Sequence, residues 1–326
     1  MILTTPAIAA LREKFPGGRI TLVVAAECAE LLPAISGVDR SLVAHRNLRD
    51  LRIFFAIARE KFDCCIDFTQ NDRSALLTFL SGAQTRVVSS RVRAHSRNRA
   101  RVYNQFAKGR LKEMHTLDYN LALLEPLGIG DVSRRLHLKL PDAARDKARE
   151  LLRLCKIDNP FVIFHPGSAR KEKFWKPERW SEVIDRARTR WGTDAVITGG
   201  NWSFEQEHIR EIKAKLRRSV ADLSGQTDLL TLTALIAQAR LLVTVDSAVM
   251  HLAATQQTPQ VALFGPTNPF HWRPRESPAL ILYGESTIPV TEFLPKQDRL
   301  PMKQISTEAV FNAMDSMLSA PAPRDS

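Results

Sequence analysis

Residues 241–274 constrain this chain more than any other stretch. An apolar run, LLVTV at 241–245, stops at Asp246-Ser247, and Ala248, Val249, Leu252 and Ala253 then recur at helical spacing. A second apolar run, VALF at 261–264, stops at Gly265-Pro266-Thr267. The order reads as strand, helix, strand, and a strand reached through a helix returns parallel to the first. Asp246, Ser247, His251, Gly265 and Thr267 then fall at or just beyond the carboxyl ends of parallel strands. Ligands of an open parallel sheet bind there, and a helix N-terminus with free amides and a neighbouring hydroxyl favours an anion. The segment is read as one wall of a nucleotide-diphosphate site.

The same alternation runs along the rest of the chain. ITLVVA (20–25), SLVAH (41–45), FDCCIDF (62–68) and RVV (86–88) read as strands. Between and after them, Leu48, Leu51, Phe55 and Ala58, then Leu76, Leu77 and Leu80, then Leu117, Leu121, Leu124 and Leu127 keep helical faces, the last stopping at Gly128. A charged amphipathic helix at 142–154 leads to Asn159-Pro160 and a second series, FVIFH, AVIT, VADL, LLVTV and VALF. The pattern predicts an α/β protein of two doubly wound domains, 1–145 and 155–305, with the boundary near 140–160. A last helix and tail, 306–326, is capped by Ser306, and the sequence leaves open whether it packs back on the first domain. The chain opens unusually: Thr5-Pro6 starts a helix with Ile8, Leu11 and Phe15 on one face, yet no strand precedes it. The expectation is that a first strand and its phosphate-facing loop are missing and that Met1 is an internal methionine of a longer reading frame.

Composition narrows the function classes. With 326 residues, 44% apolar and 25% charged, the chain has ample material for two cores and no character of disorder. Cys28, Cys64, Cys65 and Cys155 have no Cys-x-x-Cys spacing, so reduced thiols in a cytoplasmic protein are expected. No apolar run approaches the roughly 20 residues of a membrane span, and no signal core follows the N-terminus. The formal charge of +12 is concentrated in residues 86–112, where Arg86, Arg91, Arg93, Arg97, Arg99, Arg101, Lys108, Arg110 and Lys112 have no acidic residue among them. Such a tract suits phosphates, an anionic membrane surface or a solvated loop. Nucleic acid is not expected, because only Tyr103 and Phe106 are available for base stacking and no nucleic-acid-binding motif accompanies them.

A second candidate turn lies in FVIFHPGSARKEKFWKPERW, which places His165, Gly167 and Ser168 after a strand and Pro177 at the next helix start. Gly167 allows close backbone approach to a phosphate, Ser168 offers a hydroxyl, and Lys173 neutralises charge on a leaving diphosphate. The same residues also read as a Gly-Ser turn with solvated lysines. Gly199-Gly200 with Glu205 reads either as a ribose site or as an ordinary turn before a helix. Asp246 alone reads as a helix N-cap and His251 alone as a core histidine; together with Ser247 and Gly-Pro-Thr they read as a site. Trp175 and Trp180 are expected in the core, Trp180 on one stripe with Val183, Ile184 and Ala187. No Asp-x-Asp pair or spaced histidine pair calls for a metal, and no Gly-x-Gly-x-x-Gly follows a strand to suggest a nicotinamide dehydrogenase.

HPGS with Lys173-Phe174-Trp175 and Pro-Glu-Arg-Trp180, VDSAVMHLAA and LFGPTNP together resemble the C-terminal domain of the ADP-heptose:lipopolysaccharide heptosyltransferases, glycosyltransferase family nine. ILTTPAIAALREKFP, FDCCIDFTQNDRSALL and HTLDYNLALLEPLGI resemble that family's N-terminal half, so the resemblance covers nearly the whole chain. It implies a GT-B architecture, two Rossmann-like domains facing a central cleft, and inverting, metal-independent transfer from ADP-heptose with no cofactor. Ser168 and Lys173 would bind the diphosphate, with Lys173 the catalytic cation; Glu205 would meet the ribose; Asp246, Ser247 and His251 would line diphosphate and sugar. Gly167, Ala248, Gly265 and Thr267 complete the expected donor wall. Arg91, Arg93, Arg97 and Arg99 would meet an anionic lipid-linked glycan acceptor at the inner membrane surface. Two departures stand out. The family's general-base carboxylate, in a Gly-Asp loop ahead of the Leu-Thr-x-Pro segment, would lie before Met1, which implies loss of a contribution of roughly 100- to 10,000-fold. Ala248 stands where the family has Gly, so its methyl is expected to crowd the diphosphate or to bar a positive φ. A catalytically impaired nucleotide-sugar-binding or scaffold protein is the alternative.

Overall fold

Parallel pairing runs through every described strand of this computed structural model, which describes residues 1–45, 47 and 50–319. The chain divides into two units, Met1–His137 and Leu138–Ser326.

In the first unit a short 3-10 turn, Ile2–Thr4, leads into α1 (Thr5–Lys14), with Pro6 in the first turn where its missing N–H costs nothing. There follow β1 (Thr21–Ala25), a 3-10 stretch Ala26–Ala34, β2 (Arg40–Ala44), α2 (Leu51–Arg59), β3 (Cys64–Ile66), α3 (Asp72–Leu80) and β4 (Thr85–Ser89). Then come α4 (Arg91–His95), α5 (Arg97–Ala100), β5 (Gln105–Ala107) and α6 (Thr116–Ala122). Asn71 and Ser74 cap α3 reciprocally, each side chain taking the other's backbone N–H. The strands form two sheets, β1-β2 and β3-β4-β5.

Two helical faces differ from expectation. Of Leu48, Leu51, Phe55 and Ala58, Leu48 lies outside the described residues, while Leu51 and Phe55 are exposed and Ile53 and Ile57 are buried. On α3, Leu76 is exposed and Leu77 and Leu80 are half-buried, whereas Ala75 and Thr78 are buried. Both helices have apolar arcs wider than the surface they cover, so periodicity alone misjudged which edge turns inward.

The second unit begins with α7 (Asp142–Leu154), then β6 (Phe161–His165), α8 (Pro177–Trp191), β7 (Asp194–Ile197), α9 (Ser203–Lys215), β8 (Ala221–Asp222) and α10 (Leu229–Gln238). It continues with β9 (Leu241–Val245), α11 (Ala248–Thr255), β10 (Gln260–Phe264), α12 (Pro269–Trp272), β11 (Ala279–Tyr283) and α13 (Thr307–Ser319). One sheet has the order β11-β10-β9-β6-β7-β8. β6, β9 and β10 are buried at every residue, as continuous apolar runs under helices on both faces require. Trp175 and Trp180 are fully buried edge to face at 5.3 Å, and Val183, Ile184 and Ala187 share their core.

The division at His137/Leu138 falls ahead of the expected 140–160 boundary, so α7 belongs to the second unit instead of linking the two. Its stripe Ala144, Ala148 and Leu152 is buried where it packs on α10, and Lys147 reaches Asp228, the α10 N-cap, at 2.8 Å. The neighbour of α13, left open by the sequence, lies in the second unit. Ala309, Val310, Ala313, Met314 and Leu318 complete the core of the second unit, against α8 and the sheet. Residues 320–326 of the expected tail lie outside the described residues.

Candidate functional site

From the middle of the six-stranded sheet the chain winds outward in both directions, β6 to β7 to β8 one way and β9 to β10 to β11 the other. The loops leaving β6 and β9 must therefore diverge, and the crevice between their carboxyl ends is the topological switch point of the sheet. His165 is paired with Thr244 in the ladder there. The β6 loop carries Gly167, Ser168, Arg170 and Lys173; the β9 loop carries Asp246 and Ser247.

Lys173 and Asp246 join these loops. Lys173 Nζ donates to Asp246 Oδ2 at 2.7 Å and to the Asp246 carbonyl at 3.2 Å, with the two side chains 13% and 6% exposed. A pair this buried persists because the two charges compensate each other, and removal of either leaves the other unpaired in a poor solvent. The solvated-lysine reading of this turn is thereby excluded for Lys173. Asp246 is not the cap of α11: Ser247 is, its Oγ accepting from Val249 N–H at 3.3 Å. Asp246 is free to hold the lysine instead. Ala248 is the first residue of α11, exposed and without a left-handed φ, so the expected strain at that position is absent.

His251, one turn into α11, is buried, and its Nδ1 has no hydrogen-bond partner. Burial pushes its pKa down to about 4, despite the opposing pull of Asp246. The ring is neutral at physiological pH, and among the described residues its buried Nδ1 is left without a partner, as is Nε2 of His208 on α9. His165, at the end of β6, is held by Thr198 at 3.0 Å and is likewise depressed to about 4 by burial.

Glu205 sits in the first turn of α9, buried, and its Oε1 accepts from Gly200 N–H at 2.8 Å. Burial pushes its carboxyl up. A Cβ on Gly167 would overlap the Glu205 carboxylate, so this glycine is required by the close approach of the β6 loop to Glu205. Gly265 is constrained by its own chain as well: its carbonyl accepts from Leu300 N–H at 3.2 Å, and a Cβ would come within 2.6 Å of Met302 Sδ.

A cavity of about 780 Å³ opens beside the crevice, at the end of β10. Thr267 lines it, with Arg170, Asn268, His271, Lys296 and Arg299 among the other residues. Its size is that of a small-molecule site. Asn268 organises this wall, capping α12 through Phe270 N–H at 2.8 Å while its amide donates to the Leu294 and Pro295 carbonyls. Arg170 and Asn268 stood in the quoted motifs without being singled out. Lys296 and Arg299 come from a loop with no periodicity, so only folding brings them here. Ser168 is buried on the β6 loop. Lys173, Asp246 and His251 flank the cavity at the neighbouring strand end without lining it.

The basic tract in the first unit separates into different roles. Arg93, Arg97 and Arg101 line a recess of about 340 Å³ with Tyr103 and Phe106, and Arg93 lies 3.5 Å over the Phe106 ring. Arg99 donates to Asp72 at 2.6 Å and to the Gln70 carbonyl at 2.9 Å, tying α5 to the start of α3. Arg91 is exposed and does not line the recess. Arg86 donates to the Val102 and Ala83 carbonyls. Tyr103 is no stacking platform: it is buried and its hydroxyl donates to Asp67 at 2.5 Å.

Two Rossmann-like α/β units, with a cation held at the switch point of the second, define a GT-B glycosyltransferase fold. Residues 51–296 match glycosyltransferase family 9 (heptosyltransferase), and the chain belongs to that family. It is 25% identical to lipopolysaccharide heptosyltransferase 3 of Escherichia coli K12 over 334 aligned positions, covering 99% of this chain and 96% of the relative. Among solved structures, a family 9 glycosyltransferase from Veillonella parvula superposes with a TM-score of 0.85 at 24% identity, covering 98% of this chain and 93% of that one. The E. coli ADP-heptose lipopolysaccharide heptosyltransferase II does so with a TM-score of 0.78 at 19% identity, covering 98% and 95%.

Proposed function

We propose that this protein transfers heptose, or a related sugar, from an ADP-sugar to a lipopolysaccharide core or other cell-surface glycan, with inversion and without a metal ion. The observation that carries the reading is the buried Lys173–Asp246 pair at the switch point of a family 9 chain. In the reaction the bond from the anomeric carbon to the donor's β-phosphate oxygen breaks, and the acceptor hydroxyl oxygen forms the new glycosidic bond from the opposite face. The hydroxyl proton passes to a base, and ADP leaves with the electron pair. Charge grows on the diphosphate as that bond breaks, so a cation and helix amides fixed in place stabilise the transition state more than the ground state. Lys173 is that cation, shared between Asp246 and the incoming phosphate, and the amino end of α11 adds its amides. Ser168, Ser247 and the His251 ring bind the diphosphate and sugar, and the cavity with Arg170, Thr267 and Arg299 takes the rest of the nucleotide. Glu205 positions the β6 loop and faces the ribose.

Arg93, Arg97 and Arg101 form the anion recess for a phosphorylated, lipid-linked acceptor, at the cytoplasmic face of the inner membrane. The names of the relatives support the donor and acceptor classes: E. coli heptosyltransferase II is described with ADP-heptose, and heptosyltransferase 3 with lipopolysaccharide.

The test is ADP release from ADP-heptose in the presence of a heptose-deficient lipopolysaccharide. Lys173→Ala is expected to lower kcat/KM by about 100-fold or more, the scale of one lost electrostatic donor. The Lys173→Met/Asp246→Asn double variant avoids a lone buried carboxylate, so it separates loss of donor handling from loss of fold. Release no greater than that of Lys173→Ala defeats the transferase reading. Calorimetric binding of ADP-heptose that depends on Lys173 but gives no turnover selects the nucleotide-sugar-binding protein instead.

A further inference from the structure

Helices α2 and α3 of the first unit turn large apolar side chains to solvent along a shared surface. On α2, Leu51 and Phe55 lie one turn apart, and on α3, Leu76 and Phe79 do the same. All four are exposed, and Phe55 at 65% and Phe79 at 66% are the most exposed phenylalanines of the chain. The two helices pack against each other, and their buried edges are Ile53 and Ile57 on α2 and Ala75 and Thr78 on α3. The opposite edges therefore lie side by side and face outward. Exposed apolar residues scattered singly are ordinary, but a group gathered on neighbouring helices marks an interaction surface.

Charge says what that surface meets. Arg52 and Arg59 stand on the outward edge of α2, exposed and without a hydrogen-bond or ion-pair partner among the described residues. Neither helix has an acidic residue except Asp72, first in α3 on the same edge as Leu76 and Phe79, and Asp72 is already taken by Arg99 at 2.6 Å. That pairing also ties the edge to the basic recess, because Arg99 belongs to α5, and Arg97 and Arg101 on either side of it line the recess. Apolar side chains flanked by unpaired arginines suit the interface of an anionic bilayer: the rings enter the acyl boundary while the guanidinium groups stay with the lipid phosphates. A second copy of the chain is a poorer fit, since it brings the same arginines and no free carboxylate to answer them.

We propose that the outward edges of α2 and α3 form a docking surface for an anionic lipid bilayer, with Phe55 and Phe79 inserting below the headgroups and Arg52 and Arg59 pairing with phosphates. The recess of Arg93, Arg97 and Arg101 borders this surface, so a bilayer docked there presents headgroups to the recess as well. The inference deepens the membrane placement proposed for the acceptor. It is read without sugar transfer, so its failure and that of the transferase reading are distinguishable.

The test is partition of the full chain onto phosphatidylglycerol/phosphatidylcholine vesicles at about 0.1 M salt, measured by co-sedimentation. Phe55→Gln/Phe79→Gln should lower the partition coefficient by about 10-fold or more, the scale of two apolar side chains returned to water, while Phe55→Trp/Phe79→Trp should retain it. Arg52→Glu/Arg59→Glu should lower it by a similar factor, and by less as salt rises. The substituted positions are exposed, so every variant should keep the wild-type denaturation midpoint, which separates lost docking from lost fold. Lipids brominated in their acyl chains read depth, and they should quench the emission of the Trp variant more strongly than that of the wild-type chain. Equal quenching of the two proteins, or unchanged partition of the Gln variant, overturns the inference. So does a wild-type chain that is dimeric in sedimentation equilibrium and becomes monomeric in the Gln variant, which assigns the surface to a second copy.

Discussion

His165 and His251 occupy the ends of the crevice as neutral rings, because burial lowers each pKa to about 4. The sign of the pH effect follows. The folded pKa lies below the unfolded value of 6.5, so both histidines contribute full stability above about pH 6.5, and that contribution is lost as pH falls through about 4. The denaturation midpoint should be level at about pH 7–8 and decline below about pH 6.5, each ring contributing on the order of 3 kcal/mol of loss by pH 4. His165→Asn, which keeps a partner for Thr198, should make the decline shallower. A midpoint unchanged from pH 6.5 to pH 4 would contradict neutral burial. At this scale the chain announced residue types at strand ends, but not their partners. That Lys173 selects Asp246, that Ser247 takes over the cap, and that Gly167 makes room for Glu205 are consequences of strands β6, β7 and β9 lying side by side.

Helix α13 shows how an element far along the chain completes a core begun much earlier. Ala309, Val310, Ala313, Met314 and Leu318 face α8, and Trp175 Nε1 donates to the Ile305 carbonyl at 3.0 Å just before the helix. Arg186 on α8 reaches Glu308 at 2.8 Å across the same seam. Met314 is fully buried, so Met314→Ala should destabilise by about 2–5 kcal/mol through lost transfer and a cavity, read as a lower urea midpoint with an unchanged slope. A change below about 0.5 kcal/mol would show that the helix is not part of the core. The sequence made this helix legible through its period and Ser306, yet left its neighbour open. Period tells which residues share a face; it carries no information on which surface that face meets. The same gap explains α2 and α3, where Phe55 and Leu76 belong to apolar stripes but remain exposed.

For the molecule as a whole, the charge of +12 is the property most open to measurement. If the recess of Arg93, Arg97 and Arg101 meets phosphates at a membrane, the protein should co-sediment with vesicles containing anionic lipid, and binding should weaken as salt rises from about 0.05 M to about 0.5 M and the Debye length contracts. Arg93→Glu/Arg97→Glu/Arg101→Glu should reduce that binding, while Arg91→Glu, outside the recess, should reduce it much less. Equal loss from both would assign the effect to net charge alone. The sequence by itself determined the α/β class, the two-unit plan, the family motifs and the strand-end positions of the candidate site residues, because period, turn chemistry and motif order are local and survive in one dimension. Only the tertiary structure decided that α7 joins the second unit, that Arg99 pairs with Asp72 while Arg93 and Arg97 share a recess with Arg101, and that the described strands of the first unit form two sheets where those of the second form one. Those outcomes depend on which surfaces meet across long sequence separations, and a linear pattern of apolar and charged residues fixes what each surface is without fixing its partner.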